Sequence, residues 1–141
     1  MIFLRNEISC GALVYCIENQ DVKFLLLRYS QGHWDFPKGN KEKGETNLET
    51  TRREIKEETG ISDIVFRDRF EKEITYNYSR QNEKISKKVI YFLAKTKATN
   101  VVLSSEHTDF VWELYENALK RLTYKIAKEI LTQGYNFLKH L

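Results

Sequence analysis

Glu54, Glu57 and Glu58 lie three and four residues apart within the stretch FPKGNKEKGETNLETTRREIKEETGI, residues 36–61. At ~100° per residue this spacing gathers the three carboxylates within an arc of roughly 100° on one side of a helix, with Lys56 pointing away. Like charges so placed repel by roughly 0.2–0.5 kcal/mol per pair, and a compensating cation would turn that repulsion into a binding site. Carboxylates converging from adjacent turns suit a hard divalent ion such as magnesium, which takes oxygen ligands, keeps several waters and is often shared with substrate phosphates. The plainer alternative is a solvated glutamate-rich face with Arg53–Glu57 as an i,i+4 ion pair.

Those acids require a helix, and the sequence marks both of its ends. Thr46 followed three residues later by Glu49 is a capping box, and Gly60 is suited to end the helix in a left-handed turn. Leu48, Ile55 and Thr59 share a narrow face expected to pack against a sheet. EISCGALVYCI (7–17) sets Ile8, Cys10, Ala12, Val14 and Cys16 against Leu13, Tyr15 and Ile17, as a strand covered on both faces would. KFLLLRY (23–29) reads as its partner. FEKEITYNYS (70–79) and KKVIYFLAKT (87–96) read as a hairpin with the rather long tip RQNEKIS (80–86). DFVWEL (109–114) is a further strand, and the segment from about 124 to 138 is an amphipathic helix. The expectation is one domain spanning residues 1–141, of α/β (α+β) class, with a sheet sandwiched between helices.

Composition narrows the partners. The 141 residues are 41% hydrophobic and 30% charged, with a net charge of +3, ordinary for a globular chain and too slight to predict long nucleic acid as a ligand. No apolar run approaches the ~20 residues of a membrane span, and the start MIFLRNEISC lacks the pattern of a secretory signal. Cys10 and Cys16, roughly 20 Å apart along one strand, cannot bridge each other. Two reduced core cysteines fit a cytoplasmic protein. Lys84, Lys87 and Lys88 form a basic cluster apart from the acids of 42–58.

The full spacing is more specific than the acids alone. Gly39 is followed after five residues by Glu45, and after seven more by Arg53-Glu54-Ile55-Lys56-Glu57-Glu58-Thr59-Gly60-Ile61. This resembles the Nudix box, residues 39–61, at each of its defining positions. The resemblance implies a mixed sheet between helices with the box as a loop–helix–loop, and hydrolysis of a nucleoside diphosphate linked to another group, with Mg2+ or Mn2+. It implies that Glu54, Glu57 and Glu58 and the Gly39 carbonyl bind the metal. Glu54 is then a candidate general base, and Arg53 paired with Glu45 braces the site.

A narrower resemblance runs along nearly the whole chain. HWDFPKG, EITY, KKVIYFLAK, SSEH and KEILTQGYNFL, in that order, look like the asymmetric diadenosine tetraphosphate hydrolases of animal and archaeal type. That likeness implies Glu106 as a further metal ligand and catalytic acid or base, His33 and Lys38 as phosphate contacts, and Tyr76 and Tyr124 as rings for adenine. Lys84, Lys87 and Lys88 would hold the polyphosphate. The implied substrate is a small dinucleoside polyphosphate, taken by a monomer and split into ATP and AMP. Within the fold, the rival substrates are the 5′ triphosphate end of RNA, a diphosphoinositol polyphosphate or a nucleoside triphosphate. A rival of another class is a non-catalytic nucleotide-binding module.

Overall fold

A computed structural model describes residues 4–141, so the first three residues of the N-terminal stretch examined for a secretory signal lie outside the described residues. The chain runs β1 (Leu4–Glu18), β2 (Asp21–Tyr29), β3 (Trp34–Asp35), β4 (Lys38–Asn40), α1 (Asn47–Thr59), β5 (Val65–Arg80), β6 (Glu83–Lys95), β7 (His107–Leu114), α2 (Tyr115–Arg121) and α3 (Lys125–Lys139). The strands form one seven-stranded sheet in the order β3-β2-β1-β6-β5, with β4 added to β1 and β7 to β2. The sheet is mixed: β1 pairs parallel with β6, and every other pairing is antiparallel.

Both faces of β1 are buried because helices cover both sides, as its apolar alternation predicts. Cys10, Ala12 and Val14 join Ile55 and Ile61 in one core, while Leu13 and Tyr15 join Ala127, Ile130 and Leu131 in the other. On α3, Gly134 permits the close approach, since a Cβ there would collide with Leu13. Cys10 and Cys16 are both free and buried.

Three expectations change. The turn between β5 and β6 is not a long tip but two residues, Gln81 and Asn82, both at positive φ (51° and 67°). That is the geometry of a type I′ turn, which the strand twist favours even without glycine, so residues 83–86 are strand. Leu48 does not share the buried face of α1, being 44% exposed, whereas Ile55 and Thr59 are fully buried. Leu48 borders a shallow groove beside Phe66 and Phe92, and Thr50, Thr51 and Glu58 complete the buried side of the helix. The short α2, which the sequence reading does not contain, follows β7 directly and buries Ala118.

The box enters the sheet through a wedge. β1 and β2 pair only from Tyr15–Phe24 to Glu18–Asp21 and then diverge. β3 continues along β2 and β4 along β1, filling the gap. The Pro37 carbonyl accepts a hydrogen bond from Ala12 N at 3.2 Å, and Gly11 is required there because a Cβ would strike Pro37 and Lys38.

Candidate active site

The capping box is present as expected: Thr46 Oγ1 accepts from Glu49 N, Glu49 accepts from Thr46 N, and Gly60 closes the helix at φ 76°. Between these ends Arg53 is a hub. Its Nε and Nη2 donate to Glu45 at 2.7 and 2.9 Å, a two-pronged pairing of the strong kind. Nη1 reaches Glu54 at 2.8 Å and Glu57 at 3.3 Å, and Nη2 also donates to the Asn40 carbonyl at 2.9 Å. Hydrogen bonds from Arg53 first, and from Glu42 N next, hold the Glu45 carboxyl down at about 2. One guanidinium thus serves three box acids at once. The Arg53–Glu57 pair of the plainer alternative exists, but as one spoke of this hub.

Glu58 is the acid that burial affects most. Its side chain is 5% exposed, and Oε1 accepts from Lys38 N at 3.1 Å. Burial, reinforced by the neighbouring Glu54 and Glu106, pushes its carboxyl up to about 9. Burial also raises Glu54, against the pull of Arg53. The Glu54 carboxylate lies over Gly39, where any Cβ would overlap it. The far side is closed by the loop before β7, whose Val102 and Ser104 amides donate to the Thr59 and Glu58 carbonyls at 2.9 and 3.3 Å. Together Glu54, Glu57, Glu58 and Glu106 border a cavity of about 390 Å³ with Gly39 and Tyr29.

The donor set fits a hard divalent cation: carboxylates, a glycine carbonyl and room for water, with negative charge in excess of what Arg53 neutralises. Among the described residues no three histidine, cysteine or acid side chains already stand gathered as a coordination shell, and Glu57 is 57% exposed and turned to Arg53. The Glu54 and Glu58 carboxyls are nonetheless both raised, chiefly by burial. Buried acids that repel one another are what a cation would relieve.

A second cleft opens on the other face of the sheet, about 420 Å³, bordered by His33, Asp35, Lys38, Ile74, Tyr76, Tyr91 and Tyr124. Lys38 belongs to both cavities and pairs with Asp35 at 3.2 Å. Tyr76 and Tyr124 are 42% and 48% exposed, so neither ring is core. His33 stacks on Tyr29 at 4.6 Å and 8° and faces Tyr124 at 5.5 Å. Burial lowers the His33 pKa, which keeps the ring neutral near pH 7. The three hairpin lysines do not act as one cluster, because successive strand residues face opposite ways. Lys87 points with Val89 and Tyr91 toward the aromatic cleft, donates to Asn40 Oδ1 at 3.0 Å and lies 3.7 Å from Glu7. Lys84 and Lys88 face the other side, and Lys88 pairs with Glu73 at 3.5 Å. A roomier groove of about 700 Å³ beside Asp21, Tyr115 and Tyr135 shares no residue with the box.

Two residues of the site escaped the sequence reading. Tyr29 lines the acid cavity, donates to the Phe36 carbonyl at 2.7 Å and stacks on His33. His107 is buried beside Glu58, and its Nε2 is the one buried side-chain polar atom without a partner among the described residues. A buried polar atom so left costs roughly 1–3 kcal/mol. Both were visible only as an aromatic ending an apolar strand and a histidine after Glu106, and neither pattern singles out a site.

Comparison with known proteins decides the family. The family model of the NUDIX domain matches residues 10–133. The chain belongs to the Nudix family. It is 38% identical to the asymmetrical bis(5′-nucleosyl)-tetraphosphatase of Mus musculus, over 92% of this chain and 94% of that one. The enzyme of the same name from Caenorhabditis elegans is 31% identical over 92% and 95%. Among solved structures, the binary complex of the C. elegans Ap4A hydrolase superposes with a TM-score of 0.86 at 28% identity, covering 96% of this chain and 99% of that one. The RNA pyrophosphohydrolase of Helicobacter pylori is 35% identical over 55% of this Nudix chain and 54% of its own. The mixed α+β architecture is that of these Nudix neighbours, whose hydrolases generally use divalent metal ions.

Proposed function

We propose that this Nudix protein is a metal-dependent pyrophosphohydrolase that splits diadenosine tetraphosphate asymmetrically into ATP and AMP within its single domain. The observation that carries the reading is the junction at Lys38: an acid cavity and an aromatic cleft meet at one lysine. A polyphosphate chain spanning that junction would place its base between Tyr76 and Tyr124 and its reacting phosphorus among the acids. Whole-length likeness to asymmetrical tetraphosphatases, against a match over about half the chain to an RNA pyrophosphohydrolase, supports the dinucleotide over an RNA end.

Glu54, Glu57, Glu58 and Glu106, with the Gly39 carbonyl, would hold Mg2+ or Mn2+, which when bound neutralises phosphate charge and lowers the pKa of water. Arg53 orients Glu45, Glu54 and Glu57. Glu54 or Glu106 takes the proton of the attacking water. Lys38 and Lys87, on the aromatic side, offset charge on the departing triphosphate, while His33 orients phosphate beside its neutral ring. Lys84 and Lys88, on the opposite face, have no place in this arrangement. No described helix is long and apolar enough to cross a membrane; a monomer in the cytoplasm, its cysteines reduced, completes the proposal.

The test is product analysis with diadenosine tetraphosphate, triphosphorylated RNA, diphosphoinositol polyphosphate and nucleoside triphosphates, with and without Mg2+. ATP and AMP in equal amounts support the reading; two ADP, or turnover of the RNA alone, overturns it. In heavy-oxygen water the label is expected in AMP, because expelling ATP spreads the developing charge over three phosphates. Binding of nucleotide without any turnover would instead favour a non-catalytic module.

A further inference from the structure

The orphaned nitrogen of His107 sits at the end of a directed chain of polar atoms. Glu106 N donates to Ser104 Oγ at 3.3 Å, and Ser104 Oγ lies 3.0 Å from His107 Nδ1. A serine hydroxyl has one proton to give. Its oxygen accepts from the Glu106 amide, and where its proton is given to Nδ1 the ring proton stands on Nε2, the tautomer on which the following proposal is built. Nε2 is fully buried, and the carboxylate facing it is Glu58, whose Oε1 is 3.9 Å away. Tyr29 packs edge-on against the ring at 4.4 Å, holding its plane. A shift of about 1 Å by Glu58 would bring the pair to hydrogen-bond distance.

We propose that His107 is a positioning residue whose Nε2–H fixes Glu58 Oε1, alongside Lys38 N, so that Oε2 is the oxygen left for a cation. The inference rests on the divalent-cation reading of the acid cavity and adds a role to a residue that stands behind the cavity lining. It also joins the two sides of the cavity. Glu106 and Glu58 come from a loop and a helix far apart in sequence, and the Ser104–His107 link would couple their placement. Donors behind a metal-binding carboxylate typically matter 10–100-fold for metal affinity.

Three variants test it, with Mn2+ binding to the substrate-free protein read directly by electron paramagnetic resonance. His107→Phe keeps the shape against Tyr29 and removes the donor; its Kd for Mn2+ is expected to rise ~10–100-fold, while KM for diadenosine tetraphosphate at saturating Mn2+ stays within about twofold. His107→Gln restores an N–H and is expected to recover part of the affinity. Ser104→Ala leaves the ring in place but frees its tautomer; a rise in Kd is expected here too, and it carries the test should the Phe variant fail to fold. Nitrogen-15 spectra of the metal-free wild type should show the Nε2–H tautomer. Wild-type Mn2+ affinity in the Phe and Ala variants, or an Nδ1–H tautomer, overturns the role of His107. Absence of Mn2+ binding by the wild type overturns the cation reading beneath it.

Discussion

The acid cavity and the aromatic cleft are of similar size, about 390 and 420 Å³, and are built on opposite principles. The acid side is over-determined: Arg53 alone engages Glu45, Glu54, Glu57 and the Asn40 carbonyl. The aromatic side is open, with Tyr76 and Tyr124 half exposed and without hydrogen bonds from their hydroxyls among the described residues. Chemistry that develops charge needs fixed donors and ligands, while stacking on a base tolerates rotation of the ring. Under the proposed function, the difference teaches that one face would be organised for turnover and the other for capture.

Glu57→Gln and Glu58→Gln should separate the two most sharply. Each is expected to lower kcat by ~10²–10³-fold or more, several kcal/mol of transition-state stabilisation, with the circular-dichroism spectrum unchanged. Near-normal turnover in either variant would remove the distinction. Next comes a pH effect confined to the acid side. The Glu58 carboxyl in the folded protein, raised to about 9, lies above the ordinary 4.5, so the folded state holds the proton more tightly than the unfolded. This contribution to stability is full below about 4.5 and is lost as pH rises toward about 9. With EDTA present, Tm should therefore fall between pH 5.5 and 9 by an amount reflecting up to a few kcal/mol. Glu58→Gln should flatten that slope, which differential scanning calorimetry can read; an equal slope in both proteins would contradict it.

On the capture side, Tyr76→Ala or Tyr124→Ala should raise KM for a dinucleotide by ~5–150-fold, the worth of one stack at ~1–3 kcal/mol, with kcat nearly unchanged. Loss of folding instead would return both rings to the core. The smallest effect is a contrast within the hairpin. Lys87→Ala should raise KM several-fold, whereas Lys88→Ala, facing away, should leave it within about twofold. Steady-state kinetics that rank them the other way would misplace the polyphosphate.

Legibility followed the same division. The helix, its Thr46 and Gly60 caps and the convergence of its acids could be read from sequence, because capping and 100° periodicity are local. What escaped depended on distant neighbours. Whether Leu48 is buried is decided by where the sheet ends, not by the helix period. The split of Lys87 from Lys84 and Lys88 follows from strand alternation, but only once the turn is known to be two residues long. Gln81-Asn82 hides that turn, since it lacks the glycine that normally announces one. Tyr29 and His107 gain meaning only when β2 and β7 are brought beside the box.

The parallel pairing of β1 with β6 has a consequence in time. From Leu4–Lys84 to Tyr15–Lys95, partners are 80 residues apart, and closing a loop of that length must precede the contacts that reward it. The wedge that seats Pro37 and Gly39 is bounded by β1, so a chain emerging from the ribosome carries every box residue well before the sheet can hold them. Until residue 95 is free to pair, the acids belong to a helix with only β1, β2 and β4 beneath it, and completion of the sheet under the cavity waits on a slow kind of strand pairing.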